Sequence, residues 1–176
     1  ITKFRTVIVK DTTAPVISLN GANTIVHEAG TAYTDLGATF TDNVDGSGNA
    51  TIGGATVNVN SLGNYIVQYT HTDAAGNVAT PVLRTVTVSD NTKPIISLVG
   101  NDTVDLEFGG TYSDLGVTAT DSFDNALPNV TVDSTAINNA VLGPYVVTYN
   151  VKDASNNSAI TKFRTVIVKD TTAPVI

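Results

Sequence analysis

The sequence predicts an all-β chain of small two-sheet sandwiches, about seven strands each, joined end to end, and three observations predict it. Of the sixteen acidic residues fourteen are Asp, and Glu28 and Glu107 are the only Glu. Glu serves exposed helix faces while Asp is favoured in turns, so this balance describes strands and loops. Tyr65, Val67 and Tyr69 alternate with Ile66, Gln68 and Thr70, and Tyr145, Val147, Tyr149 and Val151 repeat the pattern. That is period two with one aromatic face. Turn signals rich in Gly, Asn and Asp punctuate the chain roughly every 8–12 residues, the spacing of a small sandwich. No segment supports a long helix.

Organisation comes from repetition at two scales. Residues 1–17 read ITKFRTVIVKDTTAPVI, and residues 160–176 read the same, a period of 159 residues. Seventeen consecutive identities mark a recently duplicated block in a longer array, an arrangement that adds length or avidity more readily than chemistry. Inside the block runs an older repeat. Asp11-Thr-Thr-Ala-Pro15 matches Asp90-Asn-Thr-Lys-Pro94 and Asp170-Thr-Thr-Ala-Pro174, at steps of 79 and 80. The predicted division is therefore 1–10, the last strand of a preceding repeat; 11–89, repeat 1; 90–169, repeat 2; and 170–176, the start of a following one.

Each repeat is read in order. A strand follows the proline at 16–19 and 95–99, since proline can open a strand but not occupy its middle. Next come Tyr33-Thr-Asp-Leu-Gly37 and Tyr112-Ser-Asp-Leu-Gly116, then the aromatic strands after Leu62-Gly-Asn-Tyr65 and Leu142-Gly-Pro-Tyr145. Asp73-Ala-Ala-Gly-Asn77 and Asp153-Ala-Ser-Asn-Asn157 form a turn, and a final strand carries Arg84-Thr-Val86 or Arg164-Thr-Val166. Seven strands in about 80 residues is the immunoglobulin-like sandwich pattern. Tyr65 and Tyr145 are placed like a tyrosine corner, whose hydroxyl bonds upstream backbone.

Composition narrows the function classes. The hydrophobic fraction of 41% is that of a globular protein, while 14% charged residues lies below the usual level of about a quarter. A net charge of −7 argues against nucleic acid or an anionic membrane as partner. Cysteine is absent, so packing or metal must supply the stability that disulfides often give small extracellular domains. No apolar run of about 18 residues predicts a transmembrane segment. The chain reads as an interior piece of a longer protein, secreted or displayed on a surface.

These residues resemble the bacterial Ig-like repeats of the DUF5011 type, related to the Ig-like region of a pesticidal crystal protein and found in large surface adhesins. The resemblance rests on D-x-T-x-P at the joint, the stretch around Tyr33 and Asp35, and Thr-Asp-Asn-Val-Asp-Gly at 41–46. Leu-Gly-x-Tyr-x-Val-x-Tyr at 62–69, Asp-Ala-Ala-Gly-Asn at 73–77 and the closing Arg-Thr-Val-Thr-Val strand complete it. It covers both repeats and implies the fold; such repeats act as spacers in adhesins, secreted enzymes and toxins, so it does not select among those roles. Repeat 2 departs from the pattern at Asp121-Ser-Phe-Asp-Asn125 and at Asn156, where Gly is usual; Asn tolerates the left-handed turn conformation.

No catalytic or cofactor-binding residue is predicted. A Ser or Thr nucleophile wants a neighbouring base, and the two histidines align with aliphatic positions, His27 with Leu106 and His71 with Val151, which makes them partly buried sheet residues. Glycine-rich phosphate loops and zinc spacings do not occur. The one cofactor the sequence admits is calcium, which takes six to eight oxygen ligands. Asp42, Asp45, Asp73, Asn77 and Asp90 form one candidate set, and Asp121, Asp124, Asp153, Asn157 and Asp170 the matching one. The competing reading is that each Asp makes only Asx-turns or hairpin caps. The expected function is a non-catalytic stalk or filament segment of a long bacterial surface adhesin. The alternatives are a spacer in a multimodular secreted hydrolase and a carbohydrate-binding module. Expected partners are neighbouring repeats, with strand addition by residues 2–9 or lateral self-association into a fibre.

Overall fold

A computed structural model of the chain describes residues 2–175. The chain divides into two units, one ending at Ser89 and one starting at Asp90. Unit 1 contains β1 (Val16–Leu19), β2 (Thr24–Glu28), β3 (Ala38–Asp42), β4 (Gly46–Asn49), β5 (Thr51–Gly54), β6 (Gly63–Thr70) and β7 (Val82–Ser89). One sheet has the order β1-β3-β4 and the other β2-β7-β6-β5. The pairs are antiparallel except β2 with β7, which run parallel in the register Thr24↔Thr85 to Glu28↔Ser89. The chain changes sheets between β4 and β5 at buried Ala50, whose N–H donates to the Ala38 carbonyl at 2.9 Å.

Unit 2 repeats the plan with β8 (Ile95–Leu98), β9 (Thr103–Glu107), β10 (Val117–Asp121), β11 (Asn125–Ala126), β12 (Thr131–Asp133), β13 (Gly143–Asn150) and β14 (Lys162–Lys169). Its sheets are β8-β10-β11 and β9-β14-β13-β12. The chain is thus all-β, with two seven-stranded sandwiches, as the turn spacing and the period-two strands predict. The aromatic strands alternate as expected: Val67, Tyr69, Val147 and Tyr149 are buried, while Ile66 and Val146 face out. Each core gathers the inward residues of both sheets, Ile17, Ala38, Val67, Tyr69 and Val86 in unit 1 and Ile96, Ala119, Val147, Tyr149 and Val166 in unit 2. Burying each such aliphatic side chain contributes about 1.5–3 kcal/mol.

The Tyr65 hydroxyl donates to the Ser61 carbonyl at 2.8 Å and that of Tyr145 to the Val141 carbonyl at 2.9 Å, so both tyrosines close corners onto upstream backbone. Asn125 and Asn156 carry φ of 62° and 70°, where unit 1 has Gly46 at 80° and Gly76 at 92°. Asparagine therefore holds the left-handed turns in unit 2 that glycine holds in unit 1. Residues 2–10 are exposed throughout and form no strand pairing among the described residues.

Candidate metal centres

Each sandwich is cross-tied by a buried arginine. Arg84 and Arg164 sit mid-strand on the inward face of β7 and β14, in phase with Val86 and Val166, and both are 0% exposed. Arg84 Nη1 donates to Asp35 Oδ1 at 2.9 Å and to the Tyr69 hydroxyl at 2.6 Å. Its Nε and Nη2 reach the Ala22 and Asn20 carbonyls at 3.0 and 2.7 Å. Arg164 repeats the set with Asp114, Tyr149 and the Asn101 and Val99 carbonyls. A guanidinium can be buried only when its charge and its donors are all met, and here a carboxylate, a phenol and backbone carbonyls meet them.

The carboxylate is shaped in turn. Burial opposes the charge on Asp35, but the Tyr69 and Tyr33 hydroxyls, the Gly37 amide and Arg84 outweigh it and bring its pKa down to about 2. Burial first, and then the Asp35 charge, raise Tyr33 to about 12. This network holds the β1–β2 loop and the lead-in to β3 against β7. It is a structural tie between the two sheets.

The aspartates cluster elsewhere. In unit 1 carboxylate oxygens of Asp11, Asp42 and Asp73 lie within 4.8 Å of one another, and in unit 2 those of Asp90, Asp121 and Asp153 do the same. Local turn chemistry positions each. Asp42, the last residue of β3, accepts the Val44 and Asp45 amides on Oδ1 at 2.8 and 2.9 Å. Asp121, the last residue of β10, accepts those of Phe123 and Asp124. Asp73 and Asp153 accept the Asn77 and Asn157 amides at 2.6 and 2.7 Å. Asp11 and Asp90 accept those of Thr13 and Thr92 at 3.0 and 3.1 Å. Every one of the six makes its Asx-type turn with Oδ1, which leaves Oδ2 outside that turn.

The structure groups the predicted residues differently at four points. Asp90 belongs to the cluster of the unit it opens, and Asp11 takes that place in unit 1; the joint motif leads into its own sandwich, so its Asp faces turns that come after it in sequence. Asp170 joins neither cluster, and its Oδ1 accepts the Thr172 amide at 2.9 Å. Asp45 and Asp124 sit outside both groups and instead accept the Ala74 and Ala154 amides at 2.6 and 2.7 Å, tying one turn to the next. Asn77 and Asn157 act as donors, with Nδ2 on the Asp11 and Asp90 carbonyls at 3.4 and 3.1 Å. The predicted Asp42, Asp73, Asp121 and Asp153 are brought together.

The two clusters differ in how well their oxygens are met. Asp73 Oδ2 accepts Asn77 Nδ2 at 2.7 Å, and the Asn77 side chain and amide lower its pKa although burial opposes them. The Oδ2 atoms of Asp11 and Asp42 are buried with no hydrogen-bond partner, and in unit 2 those of all three, Asp90, Asp121 and Asp153, are. Burial raises the Asp90 pKa, and the charges of Asp121 and Asp153 push the same way.

The histidines are sheet-associated and half-buried, as their aliphatic counterparts predict. His27 bonds Thr31 and meets Tyr33 edge to face, and His71 stacks on Phe40 at 3.5 Å. Sequence reasoning missed the arginine network and one further residue, Glu107, at the end of β9. Its carboxylate accepts the Thr171 amide at 3.1 Å and the Thr171 and Thr172 hydroxyls at 2.5 and 2.9 Å. The signals were present: an Arg on the inward phase of both last strands, and the chain's two Glu at one repeat position.

A family model described as bacterial surface protein, Ig-like domain matches residues 17–88 and 96–168. Among solved structures, a lipoprotein from Bacteroides thetaiotaomicron matches at 22% identity with a TM-score of 0.39. That match spans 46% of this chain and 40% of the lipoprotein. A search of curated proteins gave no match.

Proposed function

Because this chain belongs to the bacterial surface protein Ig-like domain family, we propose that it is a non-catalytic segment of a stalk or filament carrying an adhesin away from the cell. The observation that supports this best is the recurrence of residues 1–17 at 160–176, which makes the 159-residue block a unit of length. Glu107 adds a physical reason: it ties Thr171 and Thr172 to the sandwich they have just left, so the chain leaves β14 in a fixed direction. Two neutral hydroxyls and an amide on one carboxylate make a charge-assisted clasp.

In this reading the module works outside the cell, and its partners are neighbouring repeats. Residues 2–9, apolar and unpaired, complete a sandwich by strand addition. Kinship with DUF5011-type repeats, inferred from the joint motif, belongs to the same proposal. A carbohydrate-binding role is disfavoured because the chain has no Trp and the Tyr69 and Tyr149 rings are fully buried, out of reach of a stacking sugar. The test is small-angle scattering on one, two and three tandem 159-residue blocks. A stalk gives a maximum dimension that grows in proportion to block number. Growth as roughly the square root of block number, the law of a flexible chain, would overturn the stalk and leave a tether.

A further inference from the structure

The unit 2 cluster has a property that turn-making does not explain. Asp90, Asp121 and Asp153 are 5%, 9% and 7% exposed, so each is more than nine-tenths buried. Each spends Oδ1 on a backbone amide, and each holds an Oδ2 atom out of water with no hydrogen-bond partner; the Ser155 hydroxyl, close enough to act on Asp90, is itself buried and unbonded. Among the described residues no Lys, Arg or His pairs with any of the three. A buried carboxylate oxygen with no partner costs several kcal/mol, and three like charges within 4.8 Å compound that cost. Asx-turns need one oxygen per residue, so the second oxygens are left for a ligand.

The donor set identifies the ligand's class. It is all carboxylate, with no imidazole or thiolate, which selects a hard divalent cation over zinc or copper. Magnesium demands near-ideal octahedral geometry and gives up its waters reluctantly, whereas calcium accepts an irregular oxygen cage, so three carboxylates fixed by their own turns are better matched by calcium.

We propose that Asp90, Asp121 and Asp153 form a calcium site that clasps the lead-in segment of unit 2 to the β10–β11 turn and the β13–β14 loop. Calcium supplies the missing charge and lets three segments remote in sequence share one partner. The site is independent of whether the parent protein is an adhesin. The inference is confined to unit 2; in unit 1 the Oδ2 atoms of Asp11 and Asp42 also lack a partner, but both residues are partly exposed and Asp73 Oδ2 is met by Asn77.

The test is an NMR titration of the full 176-residue chain with calcium chloride, after chelator treatment, alongside thermal melts. The amides of Phe123, Asp124 and Asn157 should shift together and saturate, with a Kd on the order of 10⁻⁴–10⁻³ M, and the unit 2 melting temperature should rise with them. Asp121→Asn keeps an Oδ1 acceptor for the Phe123 amide but removes charge. It should melt no lower than the parent in chelator and respond to calcium at least tenfold more weakly. Asp153→Asn should do the same. Asp42→Asn should leave the unit 2 response unchanged. Non-saturating shifts up to about 20 mM, far above the range of extracellular modules, would overturn the proposal. So would an equal response to magnesium chloride, an undiminished response in Asp121→Asn, or a variant that needs the lost charge to fold in chelator.

Discussion

Residues 2–10 and 161–169 are one sequence in two environments. The second copy becomes β14, hydrogen-bonded to β13 on one side and to β9 on the other. There Arg164 is fully buried and Val166 and Val168 are in the core. The first copy forms no strand, and Phe4 and Val9 are 94% and 92% exposed. Identical propensity gives opposite outcomes because a β-strand is stabilised by its cross-strand partners and the face it buries, and only one copy has them.

Arginine substitution gives the sharpest form of this contrast. Arg164→Met leaves the Asp114 charge without its partner, together with the Tyr149 hydroxyl and three backbone carbonyls that it served. Breaking a buried pair from one side costs about 3–5 kcal/mol, so unit 2 should lose most of its stability in urea unfolding. Arg5→Met, the same change in the same sequence context, should stay within about 0.5 kcal/mol. Comparable losses at the two positions would break the comparison.

Acid provides a second, smaller handle on the same network. The folded-state pKa of Asp35 is about 2 against an ordinary value of 3.8. A depressed carboxyl contributes stability that is complete above the ordinary pKa and is lost as pH falls through the folded-state value. Unit 1 should therefore weaken between about pH 4 and pH 2, and Asp114, lowered in the same direction, should make unit 2 follow. Urea midpoints measured across that window check it. A stability flat down to pH 2 would mean that the carboxylates are not charged partners of the arginines.

The fold was largely legible and the sites only in part, for one physical reason. Period-two alternation at Tyr65, Val67 and Tyr69 reports burial directly, and D-x-T-x-P marks a joint wherever it occurs, so strands and repeats can be counted from sequence. Asn156 at φ 70° shows turn chemistry equally readable. Contacts between segments far apart in the chain are another matter. Arg84 meets Asp35 across 49 residues, and nothing local in Leu-Arg-Thr says that its charge points inward. Asp90 stands at a joint, where a residue can face either neighbour, and its Asx-turn onto Thr92 is a bond only the folded chain displays.

The smallest expected effect is also the one that tests where residues 2–10 belong. Unit 1 has seven strands without them, its closing strand β7 is paired on both sides, and Asp11 of its acidic cluster lies beyond the cut. Removing residues 1–10 deletes no core residue, because residues 2–10 are exposed throughout. The change in unfolding free energy of either unit should be within about 0.5 kcal/mol, the scale for surface changes. Solubility should improve, since Phe4, Val7, Ile8 and Val9 present an unpaired apolar segment that pairs readily with another chain. A loss above about 1 kcal/mol in unit 1, larger than ordinary surface changes produce, would mean that the segment packs on unit 1 in solution and is not a strand held for another sandwich.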